Sequence, residues 1–247
     1  MALIAHHRFL AQEARALLTR LGRVRPFVLH ETMVPAAALP VAAQAAIERH
    51  LLLAKRELGV RVRAFLAWLE TPLGQSATPE AAQCRFTFLR LRFNALLAQV
   101  DIFADVVTQR SEHETGVWLA GLDALAADAL HLPGGYYDPP PLVCYLDRGH
   151  GAAIRRVRTR LPGGGENPVG VIRIPRERMV GSGIASSLVH EVGHQAASLL
   201  DLMASLQPVL ASLQAGGTEA LAWRLLSRWL SEILADFWSV ARVGIAA

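Results

Sequence analysis

The chain has 247 residues, of which 52% are hydrophobic and 19% charged, and its formal net charge is +4. That is enough apolar material for one large domain or two small ones, and it excludes wholesale disorder and polar low-complexity architecture. No basic segment followed by an uninterrupted apolar run opens the sequence. The most apolar stretches, 34–47 and 96–107, are broken by Pro, Gln or Asp short of the roughly 20 residues a spanning helix needs. The expectation is a soluble, cytoplasmic protein with no membrane span.

From the start to His131 the sequence is rich in Ala, Leu, Arg and Glu, and apolar residues such as Phe86, Leu89, Phe93, Leu96 and Leu97 recur at helical spacing. Residues 1–131 therefore read as an N-terminal helical region. Breaks are expected at Arg25-Pro26, Val34-Pro35, Leu39-Pro40 and between Thr71-Pro72 and Thr78-Pro79. Thr78 is a good N-cap and Pro79 suits a first helical position, which predicts helices over 41–70 and 79–109.

The texture changes at Leu132-Pro133-Gly134-Gly135, where a run of glycines and prolines extends to Pro141 and neither helix nor central strand can form. A second region, 132–247, starts there. Short β-branched or apolar runs predict strands at 142–146 and 169–174, with a weaker alternation over 153–160 and a Gly/Pro turn over 161–168. Helices return at 184–203 and 218–243, the latter with Thr218 as its cap. The expected fold class is α+β, predominantly helical, with one small sheet.

Cys84 and Cys144 lack CxxC spacing and read as reduced core thiols. Lys55 is the only lysine, so positive charge is carried by arginine, notably Arg155, Arg156, Arg158, Arg160, Arg173, Arg176 and Arg178. The simplest reading of that cluster is a solvated sheet face; the alternative is an acidic partner. Few aromatics interleave with it and no nucleic-acid-binding motif is present, so nucleic acid is not an expected partner.

The chemistry is concentrated in His190-Glu191-Val192-Gly193-His194. Histidines four apart on a helix share a face, so both imidazoles can converge on one metal ion. Glu191 points to a different azimuth, where a carboxylate can take a proton from water made acidic by the metal. The motif lies among Leu188, Val189, Val192, Ala196 and Leu199, and two histidines with a glutamate are costly to bury without a purpose. A catalytic zinc takes three protein ligands, so one more is required. Downstream, Glu232 and Asp236 stand four apart on one helix face among Trp229, Leu230, Phe237 and Trp238.

In this pairing of motifs the chain resembles the gluzincin group of zinc metallopeptidases, in which HExxH on one helix is completed by the Glu of an ExxxD motif on the next. Glu232-Ile233-Leu234-Ala235-Asp236 is similar to the ExxAD form of HtpX-like and CaaX-processing peptidases, although this chain offers no membrane helices. The resemblance covers about 169–240. It implies a zincin-like catalytic domain holding one Zn2+ ion through His190, His194 and Glu232. It also implies that Glu191 is the general base, that Asp236 hydrogen-bonds His190, and that a peptide or protein is the substrate. It further implies that the strand at 169–174 is the sheet edge that pairs with substrate. Gly193 either lets another backbone pass close or serves ordinary packing. Tyr136, Tyr137, Tyr145 and His150 are all candidates to stabilise an oxyanion, whereas His6, His7, His30, His50, His113 and His131 read as surface or capping residues.

Many zincins have a substantial subdomain after HExxH, and this chain stops soon after it. Either the N-terminal helices supply that wall or the chain is C-terminally truncated, which is the expectation. The alternative to a metallopeptidase is a catalytically inactive, zinc-stabilised binding or regulatory module.

Overall fold

The computed structural model describes residues 2–25, 33, 35–149, 151–181, 183–215 and 219–244. The expected break at Pro26, the cap at Thr218, and His30 and His150 lie outside the described residues, as does the side chain of His113. The chain forms two compact units.

The first unit comprises the described parts of 1–29, 44–105 and 160–166. Helix α1 (Ala2–Arg23) buries Leu10, Ala14, Leu17 and Leu21, a stripe at helical spacing. Helices α2 (Val41–Glu70) and α4 (Pro79–Thr108) match the two predicted long helices, and the four-residue α3 (Pro72–Gln75) sits between them. The cap at Thr78 forms, its Oγ1 accepting from the Ala81 N–H at 3.3 Å. Phe65 of α2 meets Phe86 of α4 at 6.0 Å between ring centroids. Cys84, expected in the core, is instead exposed: it lies on the outer side of α4, away from the buried Ala82, Phe86 and Leu89.

The second unit holds the described parts of 30–43, 106–159 and 167–247. The compact units do not divide at 131/132: helix α5 (His113–Leu130) packs on strand β1 (Leu142–Asp147) and belongs with the sheet. Strands β2 (Ala153–Arg155) and β3 (Gly170–Pro175) complete a mixed sheet of order β1-β3-β2. β3 pairs parallel with β1 and antiparallel with β2.

Two expectations are corrected here. The strand at 169–174 is central, its two edges already paired, so it cannot accept a peptide. β2 stops at Arg155 where an alternation to 160 was expected, because Arg158 takes a left-handed φ of 64° and the Val157 N–H is diverted to the Gln195 side chain.

Cys144, Leu146, Ile172 and Ile174 stand on one sheet face and pack with Leu119, Ala126 and Leu130 of α5 and with Leu188, Val189, Val192 and Ala196 of helix α6 (Ile184–Leu199). α6 ends four residues earlier than expected, because Asp201 takes φ 53° and turns the chain into α7 (Leu202–Ala215), a helix not foreseen. Helix α8 (Ala220–Val243) packs against both α6 and α7. The fold is thus predominantly helical with a small three-stranded mixed sheet. Among the described residues no single helix is long and apolar enough to cross a membrane.

The outer edge of β1 is closed by side chains. Gln109 accepts from the Leu146 N–H and donates to the Leu146 carbonyl, at 2.7 and 2.6 Å. Asp123 accepts from the Cys144 N–H at 2.7 Å, and the fully buried Arg110 donates to the Cys144 carbonyl while ion-pairing with Asp123 at 2.9 Å. An open sheet edge invites another strand, and this one has no free ladder groups at those two residues.

Of the clustered arginines only Arg155 and Arg173 stand on strands, sharing the face opposite Ile172. Arg156 and Arg158 lie in the following turn, and Arg176 and Arg178 in a 3-10 turn after β3. They do not form one sheet face.

Candidate metal centre

α6 is amphipathic in an unusual sense, with two working faces. Leu188, Val192 and Ala196, each four apart, turn to the sheet, while His190, Gly193 and His194 turn to α8. A Cβ at Gly193 would sit 2.8 Å from the Cα of Ala235, closer than real Cβ atoms come, and a tight 3.0 Å from its carbonyl oxygen. The close backbone passage is therefore real, and its partner is α8. Ala235 is one turn from Ser231 and next to Asp236, so this contact is what brings the polar residues of α8 over the histidines.

There the donor atoms converge. His190 Nε2 lies 3.3 Å and His194 Nε2 3.6 Å from Glu232 Oε2, and all three donor atoms fall within 4.8 Å of one another. Ligands bound at about 2.0–2.1 Å in a tetrahedron stand roughly 3.3 Å apart, close to both of the His–Glu spacings. The two imidazole rings are nearly perpendicular, 4.9 Å between centroids. The His190, His194 and Glu232 group could hold a metal ion.

Both rings are held from behind. His190 Nδ1 is 2.7 Å from Asp236 Oδ1, so it donates to the carboxylate and leaves Nε2 with a free lone pair. His194 Nδ1 is 3.1 Å from Ser231 Oγ, which can accept from it in the tautomer that presents Nε2. Ser231 had no role assigned from sequence. The signal was there, since a ligand histidine needs an acceptor at its second nitrogen, and Ser231 directly precedes Glu232 on the helix that supplies the other acceptor.

Burial pushes the His194 pKa below its ordinary value, against the opposing pull of Glu232 and Glu191; His190 and Arg156 add to the lowering. Arg156 is thus the clustered arginine whose charge reaches the centre. Its backbone is pinned nearby: Asn167 donates to the Arg156 carbonyl at 3.2 Å, and Gln195, beside His194, accepts from the Val157 N–H at 2.9 Å.

Glu191 lines a cavity of about 650 Å3 together with His190, Asp236, Ser187 and Ser239. Its carboxylate is half-buried and not tied down by a hydrogen bond among the described residues. The three tyrosines considered for an oxyanion do not line that cavity. Tyr136 is 72% exposed, Tyr137 donates its hydroxyl to the Leu130 carbonyl, and Tyr145 is on the edge strand β1. His6 bonds the Pro79 carbonyl and His50 bonds Gln99, both in the first unit.

Compared with protein-family models, curated proteins and solved structures, the chain has no match in any of the three. The site is therefore interpreted from its own geometry.

Proposed function

We propose that the protein is a zinc-dependent metallopeptidase of gluzincin type. The observation that carries the reading is the approach of His190 Nε2, His194 Nε2 and Glu232 Oε2 to within 4.8 Å of one another beside the half-buried carboxylate of Glu191. Two imidazoles and one carboxylate so close together suit zinc among the common divalent ions, because harder cations prefer all-oxygen sets. A structural zinc site closes with four protein ligands; among the described residues three donors converge, as in catalytic sites.

When bound, the ion supplies Lewis acidity and brings water into the range where it ionises near neutral pH. Glu191 is the proton acceptor and later the donor to the leaving nitrogen. Asp236 and Ser231 hold the two imidazoles in the tautomer that presents Nε2. With β1 closed by Gln109, Arg110 and Asp123, and β3 central, the strand nearest the site is β2, whose preceding residues Gly151 and Ala152 line the same cavity as Glu191.

Glu191→Gln keeps the shape of the site and removes its base. The expected result is a zinc load equal to wild type, measured by elemental analysis, with peptide hydrolysis reduced at least about 100-fold, the low end of a general-base contribution. Full turnover in that variant would rule out the mechanism. A zinc-loaded wild-type chain that binds peptides and cleaves none would favour the inactive binding module instead.

A further inference from the structure

We propose that the cavity adjoining the metal centre and lined by Arg178 is a subsite for a carboxylate of the substrate. The proposal rests on the peptidase reading above and adds a substrate class to it.

This second cavity, about 440 Å3, is lined by Ala152, Pro175, Arg178, Val180, Ile184 and Ser187, among others. It shares Gly151, Ala152 and Ser187 with the cavity that holds His190 and Glu191, so one continuous depression follows the first two turns of α6. Its charge is divided. Glu191 and Asp236 line one end, and at the other Arg178 is the only charged side chain among the described residues.

Arg178 is exposed, on a backbone segment whose ends are packed. It ends the 3-10 turn that follows β3, between Pro175, which is buried, and Met179, which packs on the core of the unit. Arg176, in the same turn, reaches Glu112 at 3.9 Å, whereas Arg178 has no ion pair among the described residues. The first turn of α6 carries no acidic residue, so its N–H groups add potential of the same sign. A guanidinium fork is matched by two carboxylate oxygens, and the buried Pro175 and half-buried Ile184 give the cavity an apolar wall beside the exposed Arg178. An ammonium group would be repelled, and a neutral side chain would gain apolar contact only.

Two sources can supply the carboxylate: the free C-terminus of a substrate, which makes the enzyme an exopeptidase acting near that end, or an Asp or Glu side chain, which makes it an endopeptidase for acidic sequences. The test uses the zinc-loaded full chain and two sets of quenched fluorescent peptides. One compares neutral peptides with free and amidated C-termini; the other scans Asp and Glu through amidated peptides. Charge-assisted hydrogen bonding predicts a preference of about 10- to 100-fold in kcat/KM for one of the two carboxylate classes. In Arg178→Gln the favoured class should fall to the level of the neutral amides, and Arg178→Glu should disfavour it further, with zinc content retained in both. Equal rates for carboxylated and neutral peptides, or an undiminished preference in Arg178→Gln, would overturn the subsite while leaving the peptidase reading intact. If nothing is cleaved, the peptidase reading fails, and fluorescence polarisation with the same labelled peptides still decides the subsite. Carboxylate-dependent binding lost in Arg178→Gln supports it, and binding indifferent to the carboxylate overturns it.

Discussion

At the residue scale, the two histidines are oriented unequally. Asp236 supplies a carboxylate partner to His190 at 2.7 Å, and Ser231 a hydroxyl partner to His194 at 3.1 Å. Losing such a partner lowers metal affinity by about 10–100-fold. Asp236→Asn is expected toward the upper end of that range and Ser231→Ala toward the lower end, read by competition with a chromophoric zinc chelator. Glu232→Ala removes a donor outright, and a stoichiometric zinc load in that variant would eliminate Glu232 as a ligand. Burial works in favour of binding at His194. Its pKa is lowered from 6.5, so near neutral pH the imidazole is unprotonated and available. Zinc affinity is therefore expected to hold across neutral pH and fall only on acidification, as protons compete for Nε2.

At the element scale, the site exists because two helices touch at backbone distance. Gly193→Ala inserts a methyl against Ala235 and Trp238, where overpacking of this kind costs about 1–3 kcal/mol. The expected outcome is a drop in stability on urea unfolding together with weaker zinc binding, because α8 must move and takes Ser231, Glu232 and Asp236 with it. A variant with unchanged zinc affinity would separate the ligands from the helix contact. α8 is anchored further along by Trp238 Nε1 donating to the Ala129 carbonyl at 3.0 Å and Ser239 Oγ to the Ser186 carbonyl at 3.2 Å. At the opposite side of the sheet, the buried Arg110–Asp123 pair closes the β1 edge. Asp123→Ala leaves an uncompensated guanidinium and should cost about 3–5 kcal/mol, whereas replacing both residues by apolar ones of similar size should recover much of that loss. Cys144 between them is inert, since burial pushes its thiol well above the ordinary range.

At the scale of the whole molecule, a ligand that binds only the folded state stabilises it by about 4 kcal/mol at a free concentration 1,000 times its Kd. Zinc should raise the melting temperature of the wild-type chain and leave Glu232→Ala nearly unaffected. Added protection from hydrogen exchange should concentrate in α6 and α8, which carry His190, His194 and Glu232. The helices 41–70 and 79–108, the core strands and the HExxH helix were legible in the sequence because each follows from local rules: apolar spacing, a Thr-Pro start, short β-branched runs between turn residues. That His190 with His194, and Glu232 with Asp236, share helix faces was legible from spacing alone, whereas joining Glu232 to the two histidines rested on the resemblance of the paired motifs. What was not legible depended on contacts between distant segments. β3 became central because β2 returns antiparallel beside it, and α6 stopped at Leu199 because Asp201 adopts a left-handed turn. Ser231 gained its role from where His194 happened to lie. Sequence by itself determined which side chains can carry the chemistry and on which helix faces they stand, because periodicity is a local property. Only the tertiary structure decided that Gly193 meets Ala235, that β3 is central, and that Arg178 lines a cavity adjoining the one Glu191 lines, because those depend on how separate elements pack.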